Sequence, residues 1–275
     1  ETAAMFPQMT KSMAGAMVTP SDMRAEPWTA VPALAQIAKQ AGVQMVENCA
    51  VRMLDLQAGS VAGVVTEKGL VKTASVVLAG GAWSSLFLRN HGVDIPQLSV
   101  RENVAATHVL PEIHAGCAAD NHVAFRRRTD GGYTLSPAGV AELFIGPDAF
   151  RALRKYLPQL RQSPFGQTYR PTSPKGFPDA WGTPRRWSGD EITPFERMRV
   201  LDPAPDMAQL RRLVRRFHAR FPSLPDVRLK SAWAGMIDTL PDQVPIVDHC
   251  GQIPGLVIGT GMAGHGFGIG PGMGR

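Results

Sequence analysis

The last fifteen residues, GMAGHGFGIGPGMGR (261–275), constrain this chain most. Seven of them are glycine, one histidine sits among them, and the apolar run LVIG (Leu256–Gly259) leads in. Backbone that bare serves turns of positive φ or the close approach of main chain to a ligand. Gly259-Thr260-Gly261-Met262-Ala263-Gly264 has the GxGxxG spacing behind a strand-like run. The dinucleotide fingerprint also needs a helix, a second strand and an acidic residue about twenty positions on, whereas eleven residues remain. The segment therefore does not open a βαβ unit. A helix starting there would still aim free N–H groups and a positive dipole end at an electron-rich ligand. His265 is placed to donate a hydrogen bond to the same ligand. Read alone, the segment is equally a glycine-rich turn carrying an incidental histidine.

A chain of 275 residues buries a substantial core in one complex domain or two. Three cysteines, Cys49, Cys117 and Cys250, lie far apart without a CxxC. They read as reduced, mostly buried thiols of a cytoplasmic protein, which excludes a disulfide-built fold or a zinc ribbon. His108, His114 and the His249-Cys250 pair lack a third ligand, so no metal site is expected. Trp83-Ser84-Ser85 lacks the G-x-S-x-G elbow of a hydrolase. The net charge of +6 rests mostly on arginine. In DMAQLRRLVRRFHARFP (206–222), Leu210, Leu213, Val214, Phe217 and Phe221 recur at helical spacing, which makes the arginines a solvated face. No aromatic residues alternate with them as a single-strand-binding groove requires, so nucleic acid is not an expected partner. That basic face also suits an anionic surface, hence a cytoplasmic location with peripheral attachment to an inner membrane. The uncharged stretch 251–274 is too rich in glycine and proline for a membrane-spanning helix.

Pro27–Gly42 reads as a helix with Val31, Leu34, Ile37, Ala38 and Ala41 on one face and Gly42 as its stop. Strand-like pieces follow: VQMV (43–46), VRMLDL (51–56), VAGVVT (61–66), LVK (70–72) and SVVLA (75–79). The last is continuously apolar, as a parallel strand buried on both faces would be. Beyond Pro96 the texture changes. HVAFRRRTDGGYTLS (122–136) reads as a hairpin turning at Asp130-Gly131-Gly132. Phe150–Tyr156 reads as a short helix and 158–190 as long loops. The first texture returns with WAGMIDTLPDQVPIVD (233–248) and the strand LVIG. The expected fold is mixed α/β: an incomplete Rossmann-like domain (27–95 and 233–275) with an antiparallel-sheet substrate domain (1–26 and 96–232) inserted.

Four segments in order, ASVVLAGGAWSS (74–85), GVDIPQLSVRENVAAT (92–107), WAGMIDTLPDQVPIVD and GLVIGTGMAGHGFGIGPGMGR (255–275), resemble the D-amino-acid oxidase/glycine oxidase/sarcosine oxidase family of FAD-dependent oxidoreductases. Among its branches the chain is most similar to the bacterial D-amino acid dehydrogenase and opine oxidase-like type. Family members open with a strand–GxGxxG–helix ahead of the part seen here and continue the final helix beyond it. The resemblance therefore implies a fragment of a longer enzyme.

By that resemblance, Gly264, His265, Gly266, Phe267, Gly268 and Ile269 line a flavin ring, with His265 catalytic. Val51 lies near adenine, and Ala79, Gly80 and Trp83 lie along the adenosine–pyrophosphate side. The implied reaction oxidises a C–N bond of a D-amino acid or related amine, giving an imine that hydrolyses. A substrate carboxylate then needs a cationic clamp. The sequence departs from better-known branches here. Met236-Ile237 stands where D-amino-acid and glycine oxidases place an arginine, and Gly268 follows GHGF where sarcosine oxidases place a lysine. Gly235 stands near the position of their flavin-linking cysteine, so the FAD is expected to be non-covalent. Tyr133 is the first candidate for the clamp and for catalysis, followed by Arg126 and Arg128; Met236 is expected beside both cofactor and substrate. Homo- or hetero-oligomers are compatible with this reading. The alternatives are an opine or proline-derivative oxidase subunit and, from a different class, a cofactor-free basic binding or scaffold protein.

Overall fold

The computed structural model describes residues 2–10, 13–139, 141–162 and 167–275. The chain opens with α1 (Thr2–Met5) and α2 (Pro27–Gln40). Four strands follow, β1 (Val51–Gln57), β2 (Ser60–Thr66), β3 (Gly69–Lys72) and β4 (Val76–Leu78), then α3 (Ser84–Asn90). Next come β5 (Leu98–Thr107), β6 (Cys117–Ala119), β7 (Val123–Arg127), β8 (Tyr133–Pro137) and β9 (Ala141–Phe144). Helix α4 (Pro147–Gln162), β10 (Gln167–Arg170), α5 (Pro194–Arg197) and α6 (Met207–Arg220) precede β11 (Leu229–Thr239), β12 (Ile246–His249), β13 (Leu256–Thr260) and α7 (Gly266–Met273). Two compact units share these elements: one holds 1–46, 102–140 and 203–234, the other 47–101, 141–202 and 235–275.

The first unit is built on an antiparallel meander. β6 pairs with β7 and β7 with β8, and Ala105 and Ala106 of β5 pair with Leu135 and Thr134. The β7–β8 hairpin turns where the Asp-Gly-Gly predicts it, with Gly131 at φ +81°. Asp206 caps α6 by accepting from the N–H groups of Ala208 and Gln209. The apolar stripe Leu210, Leu213 and Phe217 then packs on Phe125, Tyr133 and Leu135. Edge-on and tilted ring contacts at 5.6–5.9 Å among Phe125, Phe217 and Tyr133 order this core. Helix α2 forms as its spacing predicts, and Gly42 at φ +92° ends it, but Val31, Leu34 and Ile37 are exposed.

The second unit carries the antiparallel β1–β2–β3 sheet and a second three-stranded sheet, β12–β13–β4. Leu54, Val61, Phe87, Leu88 and Leu256 form one core cluster. β9 pairs with the start of β5 and, in parallel, with β10. There Leu98, Val100 and Leu143 receive Ala152 and Tyr156 of α4.

Several expectations need correction. VQMV (43–46) forms no strand. β4 is parallel, to β13, but is not buried on both faces, since Val77 is 68% exposed. The short helix at 150–156 is the middle of α4, which runs through Pro158 on its exposed side. The span read as loops contains β10, and its residues 163–166 lie outside those described. The cysteines are free, yet Cys117 is exposed.

The start of α4 holds a charged knot in the second unit. Asp148, nearly buried, meets Arg89 and Arg151, and Asp179 meets Arg185. Burial, then the neighbouring Asp148 charge, push the Asp179 carboxyl up to about 7. On α3's exit, His91 Nε2 accepts the Leu54 N–H at 3.1 Å. Burial, then Arg186, hold the imidazole down at about 4.

Candidate functional site: a backbone cradle at the ends of two parallel strands

β4 and β13 lie side by side in parallel, with Val76, Val77 and Leu78 opposite Leu256, Val257 and Ile258. The segments that follow them, Ala79–Trp83 and Gly261–His265, therefore leave the sheet at the same carboxyl edge. Ligands of open α/β sheets bind at such edges. Part of each segment faces solvent there: Ala79, Gly80, Gly264 and His265 are exposed. After β13 the chain folds back through Gly261 (φ +80°), Ala263 (φ +49°) and Gly264 (φ +84°). At Gly261 a Cβ would stand 2.4 Å from Leu240 Cδ1, so glycine is required for room as well as for φ. His265 occupies the N-cap of α7. The first turn of α7 leaves the N–H groups of Gly266 and Phe267 without intrahelical acceptors.

A buried polar network locks the two segments together. The Asp238 carboxylate, at the end of β11, accepts from the Gly261 N–H at 2.6 Å, Thr260 Oγ1 at 2.9 Å and Gln97 Nε2 at 3.1 Å. Gln97 Nε2 also donates to the Gly81 carbonyl at 2.9 Å, and its Oε1 accepts from the Ser85 N–H at 2.8 Å. The Asp238 carbonyl takes the Ala263 N–H at 3.0 Å. Asp238 is 8% exposed, and Gln97 and Thr260 still less. A carboxyl so placed is tolerated because several donors replace its water. One side chain thus holds the glycine segment by its N–H, and another holds the turn after β4 by its carbonyl. Sequence reading passed over Gln97, Asp238 and Thr260. The available signal was an acid and an amide inside otherwise apolar runs, MIDTL and IPQLS.

The structure brings most of the predicted cofactor residues to this edge. Ala79, Gly80 and Trp83 come from the β4 side, and Gly264, His265, Gly266, Phe267, Gly268 and Ile269 from the β13 side. Met236 lies two residues before Asp238 on β11. Val51 opens β1 on the separate three-stranded sheet of the same unit. Tyr133, Arg126 and Arg128 belong to the other unit. Tyr133 is a correction: it is 0% exposed, its ring packs in the α6 core, and its Oη accepts the Ile113 N–H at 2.9 Å. That burial leaves no surface for a substrate carboxylate or for catalysis. Arg126 is paired with Glu26 at 3.0 Å, and Arg128 with Asp130 at 3.1 Å. Asp130 also takes Lys230 at 2.9 Å. Hydrogen bonds from Arg128 and then Lys230 hold its carboxyl well below the usual range.

The residues present fit a flavin dinucleotide. Ser84 Oγ is buried without a hydrogen-bond partner beside Gly80, 3.2 Å from where a Cβ on Gly80 would stand. An unpaired hydroxyl beside side-chain-free backbone suits the polar, extended side of such a cofactor. The N–H groups at the α7 start suit its electron-rich ring.

Comparison with known proteins agrees with this geometry. The chain matches the L-amino acid deaminase structure from Proteus vulgaris with a TM-score of 0.82 and 33% identity, covering 90% of this chain and 57% of that one. It is 32% identical over 87 residues to D-amino acid dehydrogenase of Rhizobium rhizogenes, covering 32% of this chain and 21% of that protein. Hydrogen cyanide synthase subunit HcnC of Pseudomonas protegens is 23% identical over 94% of this chain and 49% of its own length. The chain thus spans at most little more than half the length of these relatives. The mixed α/β fold expected from sequence is that of these flavoenzymes. The sequence model described as DAO, FAD dependent oxidoreductase, matches residues 1–275, and the chain belongs to that family.

Proposed function

We propose that this chain forms the flavin-ring end of the cofactor cradle, with part of the substrate-side sheet, in an enzyme that oxidises a C–N bond of a D-amino acid or related amine. The observation that carries the reading is the parallel pairing of β4 with β13, which places two backbone-bare segments at one sheet edge. FAD, when bound, supplies the hydride acceptor for the bond between the substrate α-carbon and hydrogen. The chain's own residues bind and orient. Gly264 to Ile269 line the ring, and the N–H groups of Gly266 and Phe267 offset negative charge at its edge. His265 donates a hydrogen bond at that edge, and Met236 walls the ring. Ala79, Gly80 and Trp83 line the adenosine–pyrophosphate side, and Val51 the adenine side. Asp238 and Gln97 position these segments through their backbone without touching the reacting atoms. Hydride transfer depends on alignment, which fixed backbone provides.

The relatives' names include a D-amino acid dehydrogenase and an L-amino acid deaminase, so the handedness of the substrate is the point to test. The folded chain is mixed with FAD, freed of excess and scanned in the visible. Retained flavin bands that wash out on denaturation support a non-covalent cradle. Bleaching of those bands by one enantiomer of an amino acid series, or by opines or proline derivatives instead, identifies the substrate class. A folded, colourless chain would make FAD retention depend on the rest of the longer enzyme that the resemblance implies, and only a colourless full-length protein would favour the cofactor-free binding protein.

A further inference from the structure

Val51 and Trp83, the residues that the flavin reading sets beside adenine and along the adenosine–pyrophosphate side, stand far apart on the elements of their unit. Val51 opens β1, and Trp83 directly precedes α3. One segment, residues 186–199, grips the surroundings of both.

At the start of β1 the pairing with β2 is irregular. Val51 lies opposite Thr66 and Met53 opposite Val65, so Arg52 has no residue of β2 across from it. Such a bulge interrupts the ladder and leaves the extra residue to find other partners. Segment 186–199 supplies them. The Trp187 indole Nε1 donates to the Arg52 carbonyl at 2.8 Å. Arg52 Nη1 donates to the Gly189 carbonyl at 3.0 Å, and Nη2 to Glu196 Oε1 at 2.7 Å. Glycine at 189 lets the chain come this close, because a Cβ there would stand 3.2 Å from Val65 Cγ1 and 3.3 Å from Met53 Sδ. Glu196 is held in turn: its Oε2 accepts from the Thr193 N–H at 2.7 Å and the Thr193 hydroxyl at 2.9 Å, closing the capping box of α5. On the other side of Val51, the Ala50 N–H donates to Glu67 Oε1 at 2.7 Å. Arg199 grips that carboxylate with both terminal nitrogens, at 2.6 and 2.7 Å. Val51, itself exposed, thus stands between two residues that the segment holds.

At Trp83 the same segment acts through rings. Phe195 meets Trp83 edge-on, with centroids 5.4 Å apart and planes at 82°. Trp187 backs Phe195 at 5.3 Å and 87°. The Trp187 N–H donates to Asn90 Oδ1 at 3.2 Å and its carbonyl accepts from Asn90 Nδ2 at 3.3 Å, which ties the ring stack to the far end of α3. Edge-on packing fixes the angle of the ring it meets.

Asp238 and Gln97 lock the ring end of the cradle, and segment 186–199 brackets the other end. We propose that this segment positions the adenosine half of the FAD site, with Phe195 and Glu196 as its positioning residues. Phe195 sets the Trp83 ring, and Glu196 fixes Arg52 and through it Val51. The inference rests on the flavin reading above. A brace for the unit as a whole would serve both halves of the cofactor alike, whereas this one serves the adenosine half.

The test is titration of the full-length apoprotein with FAD and with FMN, which lacks the adenylate half, followed by flavin fluorescence. Phe195→Ala is expected to weaken FAD binding about two- to tenfold, the worth of one aromatic pair, and to leave FMN binding unchanged. Glu196→Gln keeps its shape, loosens Arg52 and shifts the two affinities in the same way. Asp238→Asn, at the ring end, weakens both flavins. Circular dichroism confirms that each variant is folded. A parent that binds neither flavin overturns the flavin reading, and this inference with it. A parent that binds FAD, with Phe195→Ala and Glu196→Gln losing FAD and FMN equally or losing neither, overturns the inference alone and leaves the flavin reading standing.

Discussion

Replacing Asp238 tests whether the cradle is held as described. In Asp238→Ala the Gly261 N–H loses its acceptor, and Thr260 Oγ1 and Gln97 Nε2 lose one each. The last two have a second acceptor in the Gly81 carbonyl, at 3.3 and 2.9 Å. The Gly261 N–H has no such recourse, and a stranded buried donor costs about 1–3 kcal/mol. Adding the weakened bonds of Thr260 and Gln97, the expected loss is about 2–4 kcal/mol. Asp238→Asn keeps an oxygen that can face the same three donors. Neutral bonds are roughly half as strong as charge-assisted ones, so its loss is about 1–2 kcal/mol. Urea unfolding followed by circular dichroism reads both variants, and FAD retention reads the cradle. The expected order is parent, Asn, Ala in both assays. An Ala variant as stable as the parent would refute the network as the lock. An Asn variant no better than Ala would show that charge, not an acceptor in the right place, holds the two segments.

Three further outcomes follow from buried groups. Tyr133→Phe strands the Ile113 N–H and lowers stability by about 1–3 kcal/mol; if Tyr133 clamped substrate instead, the change would appear in the KM of the full-length enzyme. Asp179 binds its proton more tightly folded, at about 7, than unfolded, near 3.8, so its contribution favours folding at low pH and is lost as pH rises through 7. His91 does the opposite: its pKa falls from 6.5 to about 4 on folding, so stability is lost as pH drops through that window. The two slopes oppose each other in the parent. Asp179→Asn should leave stability rising between pH 4 and 6.5, and His91→Gln should leave it falling between pH 4 and 7. Denaturation midpoints measured across that range check both signs, and unchanged slopes would refute the assigned burial.

What could be read in the sequence was local chemistry. Glycine at 261 and 264 is demanded by positive φ, and the helical spacing of 210, 213 and 217 fixes the buried face of α6. The Asp-Gly-Gly turn specifies its own hairpin. The missed features depend on partners far away in sequence. Gln97 and Asp238 meet across 141 positions, which no local pattern encodes. VQMV has strand-forming residues but no neighbour to pair with, and Val77 has the apolarity of a buried strand without its cover. The short helix expected at 150–156 runs on to Gln162, and α4 passes Pro158 on its exposed side. Tyr133 was singled out for its hydroxyl, and its ring proved to matter more for packing.

The pairing of β4 with β13 has a consequence for how the chain is made. Residue 76 stands opposite residue 256, so all of 77–255 is made before β4 can find its partner. Contacts of such long separation form slowly, because loop closure comes before any reward from pairing. Until then β4 is a bare strand edge of three valine and leucine residues, the kind of edge that recruits other chains. The strand that completes the cradle therefore also covers one edge of β4. Removing 256–275 would therefore cost soluble yield as well as the cradle.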